Sequence, residues 1–321
     1  MKPVRLLITD LDNTLYDWVT YFASAFRAMT DELVPLLDVD PETLLSEFKA
    51  LHQYYGNSEQ PFAVLELPSV QRRFGALSPP EMLLALDPAL HAFNRTRKQL
   101  LHLYETVADT LHELRRRSVV VVGHTEAIAI NAYYRLSRLD IVDCFQRLYA
   151  LDGHVIPHPD PRREAALSPP EGLVQIVPKS ERKPNPLLLQ DICSREGFRP
   201  SEALYVGDSL TRDISMAKAA GVTAVWAQYG TEYDHRLWRV LVRVTHWTDE
   251  DVQREEELKK ECRGIEPDHT IKSFGDLLSL EGLDWGDDAA ASSAVRPSDR
   301  GGRSRTFGVQ QTATRREVKR G

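Results

Sequence analysis

Two periods of apolar spacing alternate along most of the chain. Compact β-type runs at Val4 to Thr9, Val119 to Gly123, Ala203 to Val206 and Ala224 to Ala227 have the length and composition of buried strands. Helix-period stretches lie at Val107 to Arg117, Glu126 to Leu139 and Asp213 to Ala220. Strands alternating with helices predict a parallel sheet with crossovers, and so a doubly wound α/β fold. Ligands of such folds sit outside the carboxyl ends of the strands, which makes the polar residues just after each strand the candidates for chemistry.

Between Asp17 and Leu103 the strand pattern stops. Apolar residues recur there at helical spacing, as in Trp18, Phe22, Phe26, Met29 and Leu33, with breakers at Pro35, Pro41, Gly56, Pro68, Pro79-Pro80 and Pro88. This predicts a small helical domain, 17–103, inserted after the first strand of a core made from 1–16 and 104–285. A second insert, 153–180, carries six prolines and reads as a long surface loop or flap. The last stretch, 286–321, is rich in Ser, Gly, Ala and Thr and holds eight basic against four acidic residues. It has too little apolar surface to offset its own ordering entropy and is expected to be a disordered basic tail.

Composition narrows the function classes. The chain has 321 residues, 42% hydrophobic and 27% charged, which excludes a wholly disordered, collagen-like or coiled-coil protein. Its net charge is −7 even with the basic tail, so the body is acidic and argues against nucleic-acid binding as the main role. No window reaches the ~18 unbroken apolar residues of a membrane helix, and the N-terminal apolar run meets Asp10 and Asp12 too early for a signal peptide. Cys144, Cys193 and Cys262 give neither a disulfide framework nor metal-type spacing. A cytoplasmic location with no membrane partner is expected.

Four strand ends carry candidate chemistry. The first strand runs into Asp10-Leu11-Asp12-Asn13-Thr14, whose two carboxylates, two residues apart, can face one site. Like charges this close call for a raised pKa or a cation between them, as with a nucleophile beside a general acid or a Mg²⁺ site; a turn or helix cap is the other reading. After Leu204-Tyr205-Val206 come Gly207-Asp208 and, five residues past Asp208, Asp213 at a helix start, where an acid also suits the helix dipole. Thr125 follows Val119 to His124, either as an anion-binding hydroxyl or as a helix cap. Lys183-Pro184-Asn185-Pro186 offers an ammonium that can neutralise a phosphoryl oxygen or a carboxylate, in a loop entering a helix at Asn185.

The order of these signals is more specific than any one of them. Acid pair, strand-end Thr, Lys-Pro and Gly-Asp-x-x-x-x-Asp together resemble the haloacid dehalogenase-like (HAD) hydrolase superfamily, phosphatase type, across all four of its motifs from Val4 to Asp213. The resemblance implies a Rossmann-like core and makes the 17–103 insert a cap of the C1 type. It also implies roles. Asp10 is the nucleophile that becomes an aspartyl-phosphate, and Asp12 is the acid and then the base. Thr125 and Lys183 hold the phosphoryl group. Mg²⁺ is bound by Asp10, the Asp12 backbone carbonyl and Asp208, with Asp213 in support. Gly123-His124-Thr125-Glu126 departs from the family's usual Thr-Asn or Ser-Asn pairing.

The implied activity is Mg²⁺-dependent hydrolysis of a small phosphorylated metabolite, such as a nucleoside 5′-monophosphate or a sugar phosphate. Asp-Leu-Asp-Asn-Thr-Leu-Tyr-Asp is similar to the opening of pyrimidine nucleotidase-like relatives. A phosphomutase, a dehalogenase or a catalytically silent scaffold are the alternatives. A halide leaving group needs no acid, so Asp12 favours ester hydrolysis over dehalogenation. Neither oligomeric state nor the individual substrate follows from the residues.

Overall fold

Seven parallel strands form the centre of the computed structural model, which describes residues 2–60, 62–153 and 168–286. In chain order the strands are β1 (Lys2–Pro3), β2 (Leu6–Thr9), β3 (Val120–Ile128), β4 (Arg147–Leu151), β5 (Val174–Val177), β6 (Ala203–Gly207), β7 (Thr223–Ala227), β8 (His269–Ile271) and β9 (Leu283–Asp284). The large sheet has the order β5-β4-β3-β2-β6-β7-β8, while β1 and β9 pair separately, Lys2 opposite Leu283. Strand β2 is central, registered with β3 through Thr9 and Gly123 and with β6 through Thr9 and Val206. Both faces of the sheet are buried, as expected of parallel strands with crossovers. Leu6, Ile8, Ala203 and Tyr205 pack on one face with Leu189, Ile192 and Met216, and Leu7, Leu204 and Val206 on the other with Leu111 and Leu114.

Several strands differ from the sequence expectation, and the short β1, β8 and β9 have no counterpart in it. Strand β3 runs on to Ile128, with a register shift after Thr125, so the helix expected from Glu126 starts at Ala129. Strand β4 was not anticipated. The Pro-rich insert 153–180 is not wholly a surface flap, because its Val174–Val177 is an edge strand of the main sheet, paired with β4; its residues 154–167 lie outside the described residues. The 286–321 tail is outside them too, apart from Gly286.

Between β2 and β3 lie six helices: α1 (Trp18–Leu37), α2 (Pro41–Tyr55), α3 (Pro68–Phe74), α4 (Pro79–Ala85), α5 (Asp87–Leu100) and α6 (Val107–Arg116). The Asp17 carboxylate caps α1 by accepting the Thr20 N–H at 2.8 Å, and Asp40 does the same for α2 through Thr43. Phe22, Phe26, Met29 and Leu33 form the buried stripe of α1, with the Phe26 ring edge-on to Phe48 of α2 at 4.9 Å. The two chain passages joining this helical layer to the sheet run side by side, with a bridge between Tyr16 and Leu103 and the Tyr104 N–H donating to Leu15 O.

The remaining helices among the described residues are α7 (Ala129–Arg138), α8 (Pro186–Arg195), α9 (Ser215–Ala220), α10 (His235–Val244) and α11 (Asp249–Glu261). Helix α10 lies late in the chain yet packs on α1 and α2. The buried His52 of α2 donates through Nδ1 to Val244 O at 2.6 Å, and Gln53 donates to Trp247 O at 3.1 Å, fastening α2 to the end of α10. Among the described residues no helix is long and apolar enough to cross a membrane.

Candidate active site

Strand β2 ends by delivering Asp10 to the carboxyl edge of the sheet, its N–H donating to Val206 O of the neighbouring β6 at 2.9 Å. Beyond β6, Gly207 and Asp208 lead into one π-helical turn, Leu210–Ile214, in which the N–H groups of Asp213 and Ile214 both reach Ser209 O. That wide turn folds Asp213 back over Gly207, where a Cβ would stand 2.4 Å from Asp213 Oδ2. Asp10, Asp208 and Asp213 thereby bring one carboxylate oxygen each to within 4.8 Å of one another.

Lys183 completes the cluster from the loop before α8. Asn185 caps that helix by accepting the Leu188 N–H, which fixes the loop at the sheet edge. The buried Lys183 Nζ donates to Asp10 Oδ1 at 2.6 Å and to Asp213 Oδ1 at 2.9 Å. Asp213 is buried too and takes further hydrogen bonds from Tyr205 Oη at 3.1 Å and from the Ser209 N–H.

The electrostatics follow from burial and sign. Burial pushes the Asp10 carboxyl up to about 7; Lys183 pulls it down, while Asp213 and Asp12 raise it. Burial and the neighbouring Asp213 and Asp10 charges hold Asp208 well above the usual carboxylate range. For Lys183 burial opposes the ammonium form, but Asp10 and Asp213 outweigh it and keep the group well above its ordinary value. Three carboxylates gather here and the ammonium pairs with two of them, a donor set of hard oxygens that fits a divalent cation such as Mg²⁺.

The other two candidates stand apart from that cluster. Asp12 lies at its rim, where its Oδ1 accepts from Arg135 at 2.6 Å and from Tyr16 Oη at 2.7 Å. Thr125 is buried within β3, beside the strand that carries Asp10, and its hydroxyl accepts the Ala127 N–H at 3.0 Å. It caps no helix. Glu126, the departure from the family pattern, ties the surroundings together: its carboxylate accepts the Lys183 N–H at 3.2 Å and pairs with Arg212 at 3.0 Å. Arg212 in turn pairs with Glu255 of α11 at 2.8 Å.

Arg135, Glu59 and Tyr16 were not singled out in the sequence. Arg135 is fully buried on α7 between Ala132 and Leu136, so a basic residue on a helix's apolar stripe was the available signal. Glu59 and Tyr16 carry no comparable mark.

Known proteins resemble this chain in sequence and in fold. A family model described as HAD-hydrolase-like matches residues 180–277. The glyceraldehyde 3-phosphate phosphatase of Methanopyrus kandleri is 28% identical over 235 residues, 72% of this chain and 87% of that protein. The phosphoglycolate phosphatase of Nitrosococcus oceani is 27% identical over 239 residues, 73% of this chain and 88% of that one. The crystal structure of a 2-haloacid dehalogenase from Pseudomonas syringae superposes with a TM-score of 0.51 at 18% identity, covering 86% of this chain and 97% of the other, a likeness of fold. Four motif segments gathered at one edge of a seven-stranded parallel sheet, the family match over residues 180–277 and phosphatase relatives at 27–28% identity together support a hydrolase of the haloacid dehalogenase-like superfamily.

Proposed function

We propose that the protein is a Mg²⁺-dependent phosphatase of small phosphomonoesters, working through phosphorylation of Asp10. The observation that carries the reading is the cluster of Asp10, Asp208 and Asp213, in which the buried Lys183 ammonium pairs with Asp10 and Asp213. A carboxylate approaching a phosphate is opposed by about 4 kcal/mol per pair of unit charges 4 Å apart at an effective dielectric near 20. Lys183 offsets part of that repulsion and holds Asp10 by one oxygen, leaving the other to attack phosphorus. Mg²⁺, held by Asp10, the Asp12 carbonyl and Asp208 with Asp213 behind them, would supply the remaining positive charge and polarise the phosphoryl oxygens.

In the first step an Asp10 oxygen bonds to phosphorus, the ester P–O bond breaks, and Asp12 gives its proton to the departing alkoxide. In the second, water attacks the phosphoryl group, Asp12 takes the water's proton, and Asp10 leaves as a free carboxylate. Thr125, on the strand beside Asp10, and Lys183 are assigned to the phosphoryl oxygens. The helical segment 17–103 is assigned as the cap that excludes water and selects the leaving group.

The names of the relatives favour short sugar-phosphate-type esters, so two- and three-carbon phosphates lead the substrates to try. Purified protein with Mg²⁺ is expected to release phosphate from at least one member of a panel of such esters, sugar phosphates and nucleoside 5′-monophosphates. Asp10→Asn should abolish that release with folding intact. A silent wild-type protein across the panel would overturn the reading.

A further inference from the structure

Arg135 is the largest fully buried side chain of the molecule's described residues, and its position needs an explanation. Removing a guanidinium from water costs several kcal/mol unless carboxylates and hydrogen bonds compensate. Here two carboxylates do so. Its Nη1 donates to Asp12 Oδ1 at 2.6 Å, and its Nη2 pairs with Glu59. Glu59 stands between α2 and α3, and it also accepts from Trp18 Nε1 at 2.9 Å. Its backbone oxygen accepts from Asn131 of α7 at 3.1 Å. The guanidinium carbon lies 5.9 Å from the Tyr16 ring centre and 5.7 Å from that of Tyr21, so two aromatic rings flank it.

The consequence falls on Asp12. Both hydrogen bonds that its carboxylate accepts among the described residues, from Arg135 and from Tyr16 Oη, land on Oδ1. Both donors belong to buried residues, so that oxygen is anchored. Oδ2 is then the oxygen available to carry a proton. A strut serving only to join α7 to the helical layer could have taken Glu59 alone. This one spends half its fork on the residue assigned to proton transfer.

We infer that Arg135 is a positioning residue for proton transfer, fixing Asp12 by Oδ1 so that Oδ2 faces the leaving group while Glu59 fixes the arginine. The inference rests on the phosphatase reading and adds to it a residue from outside the four motifs. A purely structural Arg135 slows every substrate alike. A positioning Arg135 matters most for esters whose leaving group needs a proton, and least for p-nitrophenyl phosphate, whose leaving group needs little protonation.

The test compares kcat and KM for p-nitrophenyl phosphate and for glycerol 3-phosphate, with Mg²⁺, in wild type, Arg135→Met and Arg135→Lys. Misplacing a catalytic group by about an ångström costs on the order of 10²-fold. Arg135→Met is therefore expected to lower the glycerol 3-phosphate kcat by about that factor beyond its effect on the aryl ester, with KM nearly unchanged. Arg135→Lys, which keeps one donor and the charge, is expected to recover part of the loss. An alkyl-to-aryl ratio equal to wild type overturns the inference. Should thermal melting show that Arg135→Met does not fold, the same ratio in Arg135→Lys decides. If wild type hydrolyses neither ester nor any of the panel, the phosphatase reading falls and takes this inference with it. Wild-type activity with an unchanged ratio sinks the inference alone.

Discussion

Lys183 Nζ lies 2.6 Å from Asp10 Oδ1, and the same ammonium reaches Asp213 from the far side of the cluster at 2.9 Å. One cation thus restrains two carboxylates, one at the end of β2 and one in the helical turn after β6. It orients Asp10 and reduces the repulsion that Asp213 and Asp208 exert on it. Stability and reactivity are coupled at this one side chain.

Lys183→Met should therefore do two things. Breaking a buried ion pair by removing one partner costs about 3–5 kcal/mol, which thermal or urea unfolding of the metal-free protein will register. Turnover should fall by on the order of 10²-fold or more, the scale of losing one preorganised electrostatic contact. Added Mg²⁺ should restore part of the stability and little of the rate. Wild-type stability in the metal-free variant would mean that the cluster does not depend on this ammonium.

Metal addition probes the same charges from the other direction. A ligand that binds only the native state stabilises it by about 2.7 kcal/mol at a hundred times its dissociation constant. Mg²⁺ should raise the melting temperature of the wild-type protein, with a smaller rise for Asp208→Asn. Chelation should stop phosphate release reversibly. Identical melting curves with Mg²⁺ and with chelator would remove the cation from the account.

The joint between α2 and α10 makes acid stability a separate test. Burial pushes His52 down to about 4, against an ordinary value near 6.5, and its hydrogen bond to Val244 O opposes the shift only in part. Between those two values the unfolded chain binds a proton that the native state excludes, so stability falls as the pH falls through this window. The full effect is on the order of 3 kcal/mol. His52→Gln keeps a donor for Val244 O but no titratable ring, and its stability should depend less on pH between about 6.5 and 4. A slope as steep as wild type would place the acid sensitivity elsewhere, with the similarly lowered His246 as the next group to change.

Much of the fold was legible because buried parallel strands are written as short apolar runs. Leu6–Thr9, Ala203–Gly207 and Thr223–Ala227 lie within a residue or two of where the apolar pattern put them. Strand β4 was not, since it opens on the charged Arg147. Strand β5 was hidden in a Pro-rich context, and the half-exposed Ile176 reflects its place at the sheet edge. At the site, Asp10, Asp208, Asp213 and Lys183 could be read from strand-end position and order along the chain. The Arg135–Asp12–Glu59 contacts could not, because they join residues 76 and 123 positions apart through packing that no local pattern encodes.

Gly230 offers the most local test of how the site is assembled. It follows β7 and passes so close to the first motif that a Cβ would meet Asn13 O at 1.9 Å and the Asp208 Cβ at 2.8 Å. The adjoining Tyr229 Oη donates to Thr14 O at 2.6 Å, so this turn braces the loop carrying Asp12 against the one carrying Asp208. Alanine has nowhere to go, because the obstacle is backbone rather than the end of a flexible chain. Gly230→Ala should therefore push the two loops apart, with a stability loss of about 1–3 kcal/mol. Weaker Mg²⁺ binding and at least a tenfold drop in turnover are expected, although no chemical group has been removed. Calorimetric titration with Mg²⁺ and steady-state rates on the same preparation are the measurements. Unaltered metal affinity in a variant with reduced stability would show that the turn supports the fold without setting the distance between the two acidic loops.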